Sequence, residues 1–88
     1  MTTKELERLL KAVANHRRLS ILKYLQRAKK PNVGDIADHL KLSFRSTSRH
    51  LVILKSVGLI DKEQIGVEMH YSMESDIPSV IKHILDNC

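Results

Sequence analysis

The stretch VGDIADHLKLSFRSTSRHLVILKSVG, residues 33–58, decides the fold. Its first eight residues carry apolar side chains at the spacing of one helical face, which predicts a short helix over residues 33–40. A second helical pattern begins at Ser43, continues to Val57 and ends at Gly58, a residue type that often follows the last turn of a helix. Two helices joined by a turn of about three residues form a helix-turn-helix motif, predicted here over about residues 33–57.

The residues before this motif predict two more helices. Apolar residues recur at i, i+3, i+4 and i+7 over residues 4–14, and Thr2 or Thr3 can cap that helix. Asn15 suits the N-cap of a second helix that extends to about Ala28. Pro31 then ends the pattern, because proline cannot continue a helix and restricts the residue before it.

After Gly58 the apolar period changes from helical to alternating. Residues 59–64 and 68–73 predict two strands around a turn at residues 65–67, so residues 59–73 form a β-hairpin. Residues 77–87 predict a C-terminal helix, with Ser75 or Asp76 as its cap and Pro78 in its first turn. No repeat or linker interrupts the chain. We therefore predict one domain over residues 1–88, a mainly α (α+β) winged helix-turn-helix with a two-stranded wing and an additional helix at each end.

The charge is divided unevenly along the chain. Residues 1–60 contain 13 Lys and Arg against four acids, whereas residues 61–88 contain two against six, and no acid occurs between His39 and Ile60. Such a basic region favours a partner that carries phosphates, although a solvated face without a partner is the alternative. The aromatic residues are only Tyr24, Phe44 and Tyr71, too few for a membrane-binding face or a base-stacking platform. Double-stranded DNA is the predicted partner.

The helix that begins after Ser43 has two faces. Phe44, Thr47, Leu51 and Leu54 are predicted to pack on the preceding helix, whereas Arg45, Ser46, Arg49 and His50 lie on the other side. A recognition helix presents its first turns to the major groove, where arginine can donate two hydrogen bonds to guanine. The candidate DNA-binding residues are Lys41, Ser43, Arg45, Ser46, Ser48, Arg49, His50, Lys55 and Lys62.

Apolar stripes on the two terminal helices, residues 4–14 and 77–87, predict a homodimer. A chain of 88 residues is too small to bury all of these side chains internally, and a second copy would cover them. The candidate interface residues are Leu6, Leu9, Leu10, Ile77, Val80, Ile81 and Ile84.

Residues 9–73 resemble the ArsR/SmtB family of bacterial transcriptional repressors. The resemblance rests on the segments LKAVAN (10–15), RLSIL (18–22), DIADHL (35–40), SRHLVIL (48–54) and VGLI (57–60), together with Tyr71. It implies a repressor that forms a homodimer through its first and last helices and binds an inverted repeat.

The sequence departs from the family pattern in the turn and in the wing. The family usually has glycine in place of Lys41 and an aliphatic residue in place of Thr47. The predicted wing carries Asp61, Glu63 and Glu68 but only one cation, Lys62. Because carboxylates repel phosphate, we expect the wing to contribute little affinity.

The sequence predicts no metal site, no cofactor and no enzymatic activity. The family's metal sites imply a Cys-x-Cys pair or a spaced Asp/His set, whereas Cys88 is the only cysteine and Asp76, His83 and Asp86 lack that spacing. We therefore expect DNA binding to be insensitive to zinc. No nucleophile elbow, phosphate loop or metalloprotease pair occurs.

Other properties follow from what the sequence does not contain. No apolar run of about 20 residues occurs, so no membrane span and a cytoplasmic location are expected. No motif identifies a small-molecule effector. A metal-responsive repressor and a winged helix that binds proteins instead of DNA are the alternatives.

Overall fold

The computed structural model describes all residues from Met1 to Cys88. It contains five helices and one two-stranded antiparallel sheet, as predicted. In chain order these are α1 (Thr3–Val13), α2 (His16–Arg27), α3 (Val33–Leu40), α4 (Phe44–Ser56), β1 (Ile60–Ile65), β2 (Glu68–Met73) and α5 (Ser79–Asp86).

The first four helices begin at polar side chains that accept hydrogen bonds from otherwise unpaired backbone amides. Thr2 and Asn32 each form a capping box with an acid three residues later, and Asn15 caps α2. Ser43 caps α4, because its Oγ accepts a hydrogen bond of 3.0 Å from the Ser46 amide. Such caps stabilise a helix by about 1 kcal/mol each, and here they determine where the helix-turn-helix begins and turns.

The turn between α3 and α4 uses a left-handed residue that is not glycine. Lys41 has φ 56° and ψ 44°, and its amide donates to the carbonyls of Ala37 and Asp38. A side chain in this region costs about 1 kcal/mol or more relative to glycine. Lys41 therefore adopts, at a cost, the left-handed conformation that glycine adopts freely.

A single core joins α1–α4, the start of the hairpin and α5. Its 13 buried residues are Leu9, Val13, Ile21, Leu22, Leu25, Val33, Ile36, Leu51, Leu54, Leu59, Ile60, Ile81 and Leu85. Thr47 is also fully buried, and its Oγ1 donates to the Ser43 carbonyl at 2.9 Å. The hydroxyl is therefore satisfied, which explains how threonine replaces an aliphatic residue in α4.

The last helix differs from its prediction. It begins at Ser79 with Pro78 at the N-cap, and neither Ser75 nor Asp76 caps it. The reason is that proline disfavours helical backbone in the preceding residue, so Ile77 cannot enter the helix. At the other end the Lys23 ammonium donates to the Leu85 carbonyl at 2.8 Å, which attaches α5 to α2.

The hairpin has a shorter turn than predicted, and its β2 edge contacts the body of the domain. Ile65 belongs to β1 and pairs with Glu68, so the turn is limited to residues 66–67. On its other edge β2 contacts the α2–α3 connection, because the Tyr71 amide donates to the Pro31 carbonyl at 2.9 Å. The wing is thereby fixed beside the helix-turn-helix.

Candidate nucleic-acid interface

The outer face of α4 is a shallow groove with two cations in it. The groove has a volume of about 660 Å³ and is lined by Phe44, Arg45, Ser48, Arg49, Val52 and Ile53. Thr47, Leu51 and Leu54 point the other way and are buried. The prediction that α4 packs through one face and exposes the other is confirmed for these residues.

Arg45 and Arg49 are exposed and have no partner within the chain. Neither guanidinium forms an ion pair or a side-chain hydrogen bond, whereas Lys30 and Lys82 form ion pairs with carboxylates. Each guanidinium therefore keeps its full set of donors for an external acceptor such as phosphate or guanine.

Phe44 does not pack on α3, contrary to the prediction. It is 64% exposed. The buried face of α4 is centred on Thr47, Leu51 and Leu54, and Phe44 lies in the first turn at the edge of that face, where no neighbour covers it. Val52, two turns later, is 68% exposed and was not among the predicted contacts. Helical periodicity alone does not predict this exposure, because Phe44 is only about 20° around the helix from the buried Leu51.

His50 and Ser46 are half-buried, which differs from their predicted place on the open face. His50 Nδ1 lies 3.3 Å from Arg18 Nη1 of α2. Burial, together with the charges of Arg18 and Arg17, lowers the pKa of His50 below its usual value. In the neutral form Nδ1 accepts from Arg18, so the hydrogen on Nε2 is the one available to an external acceptor.

The other predicted contacts surround α4. Ser43 accepts a backbone amide as the N-cap and still has its own hydroxyl proton to donate. Lys41 is exposed in the turn, and Ser48 is half-buried in the groove. Lys55 and Lys62 line a second hollow of about 200 Å³ between the end of α4 and the hairpin, together with Tyr71.

The hairpin separates its charges by face. Lys62 pairs with Tyr71 and Glu63 pairs with His70, so alternation places Lys62 on the side of α4. The same alternation places Asp61, Glu63 and Glu68 together on the opposite face. The acidity of the wing is therefore not a property of the face that adjoins α4.

Two of the wing acids bind the α2–α3 connection. Glu63 pairs with Lys30 at 2.8 Å and so raises the pKa of Lys30, mainly through the hydrogen bond. Glu68 accepts from Asn32 Nδ2 at 2.9 Å and lies 3.6 Å from His70 Nε2. These contacts join the hairpin to the body of the domain.

The predicted dimer residues fall into three groups. Leu6, Leu10 and Val80 are 37%, 42% and 45% exposed, and Ile77 and Ile84 are partly buried against the core. Leu9 and Ile81 are at most 3% exposed and belong to the core of the chain itself. Their place in an interface is corrected, because almost no surface is left on them for a second copy to cover.

No three of the His, Cys, Asp and Glu side chains lie close enough together to hold a metal ion. No helix is both long and apolar enough to cross a bilayer. Cys88 is exposed, and its Sγ lies 3.1 Å from the Ile84 carbonyl oxygen.

The helix-turn-helix followed by an antiparallel hairpin defines a winged helix-turn-helix protein. The sequence model of the bacterial regulatory protein arsR family matches residues 15–62. The chain belongs to this family of bacterial regulators, and the resemblance drawn from the sequence is confirmed.

Individual relatives support the assignment. The HTH-type transcriptional regulator YgaV of Escherichia coli is 32% identical over 79 residues, which are 90% of this chain and 80% of YgaV. The transcriptional activator HlyU of Vibrio cholerae is 37% identical over 67 residues, 76% of this chain and 61% of HlyU.

Solved structures share the whole fold. HlyU from Vibrio cholerae N16961 superposes with a TM-score of 0.80 at 30% identity, covering 99% of this chain and 92% of HlyU. The fragment 1–100 of Mb0332 from Mycobacterium bovis, described as a homodimeric winged helix-turn-helix DNA-binding domain, gives 0.80 at 27% identity over 96% of this chain and 74% of that one.

Proposed function

We propose that this chain binds double-stranded DNA as a homodimer and regulates transcription, with α4 of each copy in the major groove. The observation that carries the proposal is the pair of exposed, unpartnered guanidinium groups of Arg45 and Arg49 on the second helix of the motif. No acid occurs between His39 and Ile60 to oppose phosphate. A polyanion is the partner that this face complements.

A homodimer supplies two such helices. Leu6, Leu10 and Val80 leave apolar surface exposed on α1 and α5, and a second copy related by a two-fold axis would cover it. The description of Mb0332 as homodimeric supports this arrangement. A two-fold protein binds an inverted repeat, with half-sites separated by about one helical turn of DNA or a multiple of it.

In this proposal each segment of the chain has its own role. Residues 1–88 act as one DNA-binding unit, in which about residues 33–57 contact the major groove and the wing, about residues 59–73, lies beside it. The terminal helices, about residues 4–14 and 77–87, provide dimerisation. We propose repression as the outcome, because occupancy of an operator by these residues is sufficient to exclude another protein. The relative HlyU is named an activator. A reporter gene placed under the selected operator therefore measures whether this chain represses or activates transcription.

The experiment begins with selection of bound duplexes from a random DNA pool. The selected duplex is then titrated with protein in fluorescence anisotropy at several salt concentrations. We expect specific binding, and the logarithm of its association constant should fall linearly with the logarithm of the salt concentration. Arg45→Ala and Arg49→Ala should each lower this association constant.

Lys82→Ala on α5 is the matched control. It also removes one cation, from a surface ion pair with Asp86 and not from the apolar residues proposed for the interface, so it should leave both the dimer in sedimentation and the affinity unchanged. Absence of binding by the wild type to any duplex at low salt would instead favour a module that binds proteins.

A further inference from the structure

We infer that Phe44 and Val52 form an apolar stripe that reads thymine C5-methyl groups in the major groove. The inference rests on the proposed function and adds to it the base composition of the operator. Both side chains belong to the groove that also contains Arg45 and Arg49. They are among the most exposed large apolar side chains of the chain.

The chemistry of the stripe fits one feature of duplex DNA. Base edges in the major groove present hydrogen-bond donors and acceptors, and the thymine methyl is the apolar group among them. Apolar side chains such as phenylalanine discriminate thymine by contact with that methyl. Arginines beside the stripe can at the same time bind guanine or the backbone phosphates.

Phe44 lies in the part of a recognition helix that enters DNA, and Val52 extends the stripe along the groove. Phe44 is the first residue of α4, directly after the Ser43 cap, and Val52 lies eight residues later in the same groove. Eight residues of helix measure about 12 Å. Because base pairs are stacked about 3.4 Å apart along a strand, the two side chains reach thymines that are roughly three base pairs apart.

The electrostatics of the groove argue against an apolar protein partner or a second copy as its occupant. Two cations and no acid line the groove. A second copy seated on it by a two-fold axis would bring four guanidinium groups together, which is unfavourable. An anionic partner with apolar groups at its surface satisfies both parts of the groove, and thymine-containing DNA is such a partner.

The test replaces thymine by deoxyuridine, which removes only the methyl group. Each thymine of the selected duplex is replaced in turn, and dissociation constants are measured by anisotropy. For the wild type we expect a loss of about fourfold at each of two positions per half-site, the factor that corresponds to burial of one methyl group. Phe44→Ala should abolish the difference at one of these positions and Val52→Ala at the other.

Controls separate this inference from the proposed function. Both substitutions are at exposed positions, so circular dichroism should show an unchanged fold. Ile65→Ala, at an exposed apolar residue on the acidic face of the hairpin, should retain the wild-type difference between thymine and uracil.

Three results would overturn the inference. The first is tight wild-type binding with no effect of any uracil, which leaves the proposed function intact. The second is a Phe44→Ala variant that weakens binding equally on thymine and uracil duplexes. The third is a shift of Phe44→Ala to a monomer in sedimentation, which would assign the stripe to a second copy. Failure of the wild type to bind any duplex would reject the proposed function itself.

Discussion

The recognition helix α4 and the hairpin use their charges in opposite ways. In α4 the guanidinium groups of Arg45 and Arg49 are exposed and unpartnered. In the hairpin Glu63 and Glu68 bind Lys30 and Asn32 of the α2–α3 connection. Charges that have a partner within the chain hold the fold together, whereas charges without one are available to a ligand.

This difference changes how an acidic wing should be interpreted. The sequence count of three acids against one lysine predicts a wing that repels DNA. The strand pairing instead places the acids on one face and Lys62 on the other, beside Lys55. The wing can therefore contribute a cation next to α4 while Glu63 and Glu68 bind the α2–α3 connection.

The largest expected effect comes from removing the second copy of α4. Leu10→Asp places two carboxylates in the proposed dimer interface, where like charges cost several kcal/mol. We expect a folded monomer in sedimentation velocity and a loss of operator binding of a hundredfold or more, in order of magnitude.

The control for dimerisation is Val67→Asp, which adds the same charge to an exposed apolar residue in the hairpin turn. It should remain a dimer. Ile81→Asp is unsuitable, because Ile81 is buried in the core and an aspartate there would unfold the chain. A wild type that sediments as a monomer at micromolar concentration would contradict the proposed dimer.

Arg49→Ala should have the next largest effect. Loss of a base contact costs about 1–3 kcal/mol of specific binding and relaxes the preference at one base pair. If Arg49 contacts phosphate instead, binding weakens evenly across sequences and the salt slope shrinks by about one. Anisotropy titrations over a salt series distinguish the two results, and unchanged affinity with an unchanged slope would exclude both roles.

A matched pair of variants tests whether the two faces of the hairpin differ in their effect on DNA binding. Lys62→Ala removes the cation beside α4, and we expect a severalfold loss of affinity with a salt slope reduced by about one. Glu63→Gln changes the neighbouring residue, whose carboxylate lies on the opposite face of the hairpin, and it should leave the salt slope unchanged. If both variants bind as the wild type does, Lys62 makes no contact with DNA.

Local features of the fold were predictable, and contacts between distant residues were not. The caps Thr2 and Asn15 follow from short-range hydrogen bonding, and both are confirmed. The rule that proline excludes the preceding residue from a helix applies to Ile77 and was available in the sequence. The pair Lys30–Glu63 joins residues 33 positions apart, and only the folded chain reveals it.

The candidate site was predictable in part for the same reason. Helical periodicity gives the angular order of side chains around α4, but it does not give the extent of the surface that α3 covers. Phe44 was therefore assigned to the wrong side. Leu9 and Ile81 were assigned to an interface because they belong to apolar stripes that also contain exposed residues. Periodicity identifies such a stripe, but it does not show which of its residues are buried in the core of the chain itself.

Lys41→Gly tests the cost of a left-handed lysine in the turn that orients α4. Glycine adopts φ 56° without strain, so we expect the free energy of unfolding to rise by about 1 kcal/mol in urea denaturation. Lys41→Ala is the control, because it removes the same charge but keeps a Cβ in the left-handed region. If Lys41 contacts phosphate, both variants lose the same affinity while only the glycine variant gains stability.

The smallest expected effect concerns the pH dependence of stability through His50. Burial and the neighbouring Arg18 and Arg17 lower the pKa of His50 in the folded protein below its value of 6.5 in the unfolded chain. Between these two pKa values the unfolded chain binds more protons, so stability is full above pH 6.5 and falls as the pH decreases through that window. The urea midpoint of the wild type should therefore decrease more between pH 7.5 and pH 5.5 than that of His50→Gln. His83→Gln on α5 should keep the wild-type dependence. Equal decreases in the wild type and His50→Gln would show that neither burial nor the nearby arginines disfavour the charged imidazole.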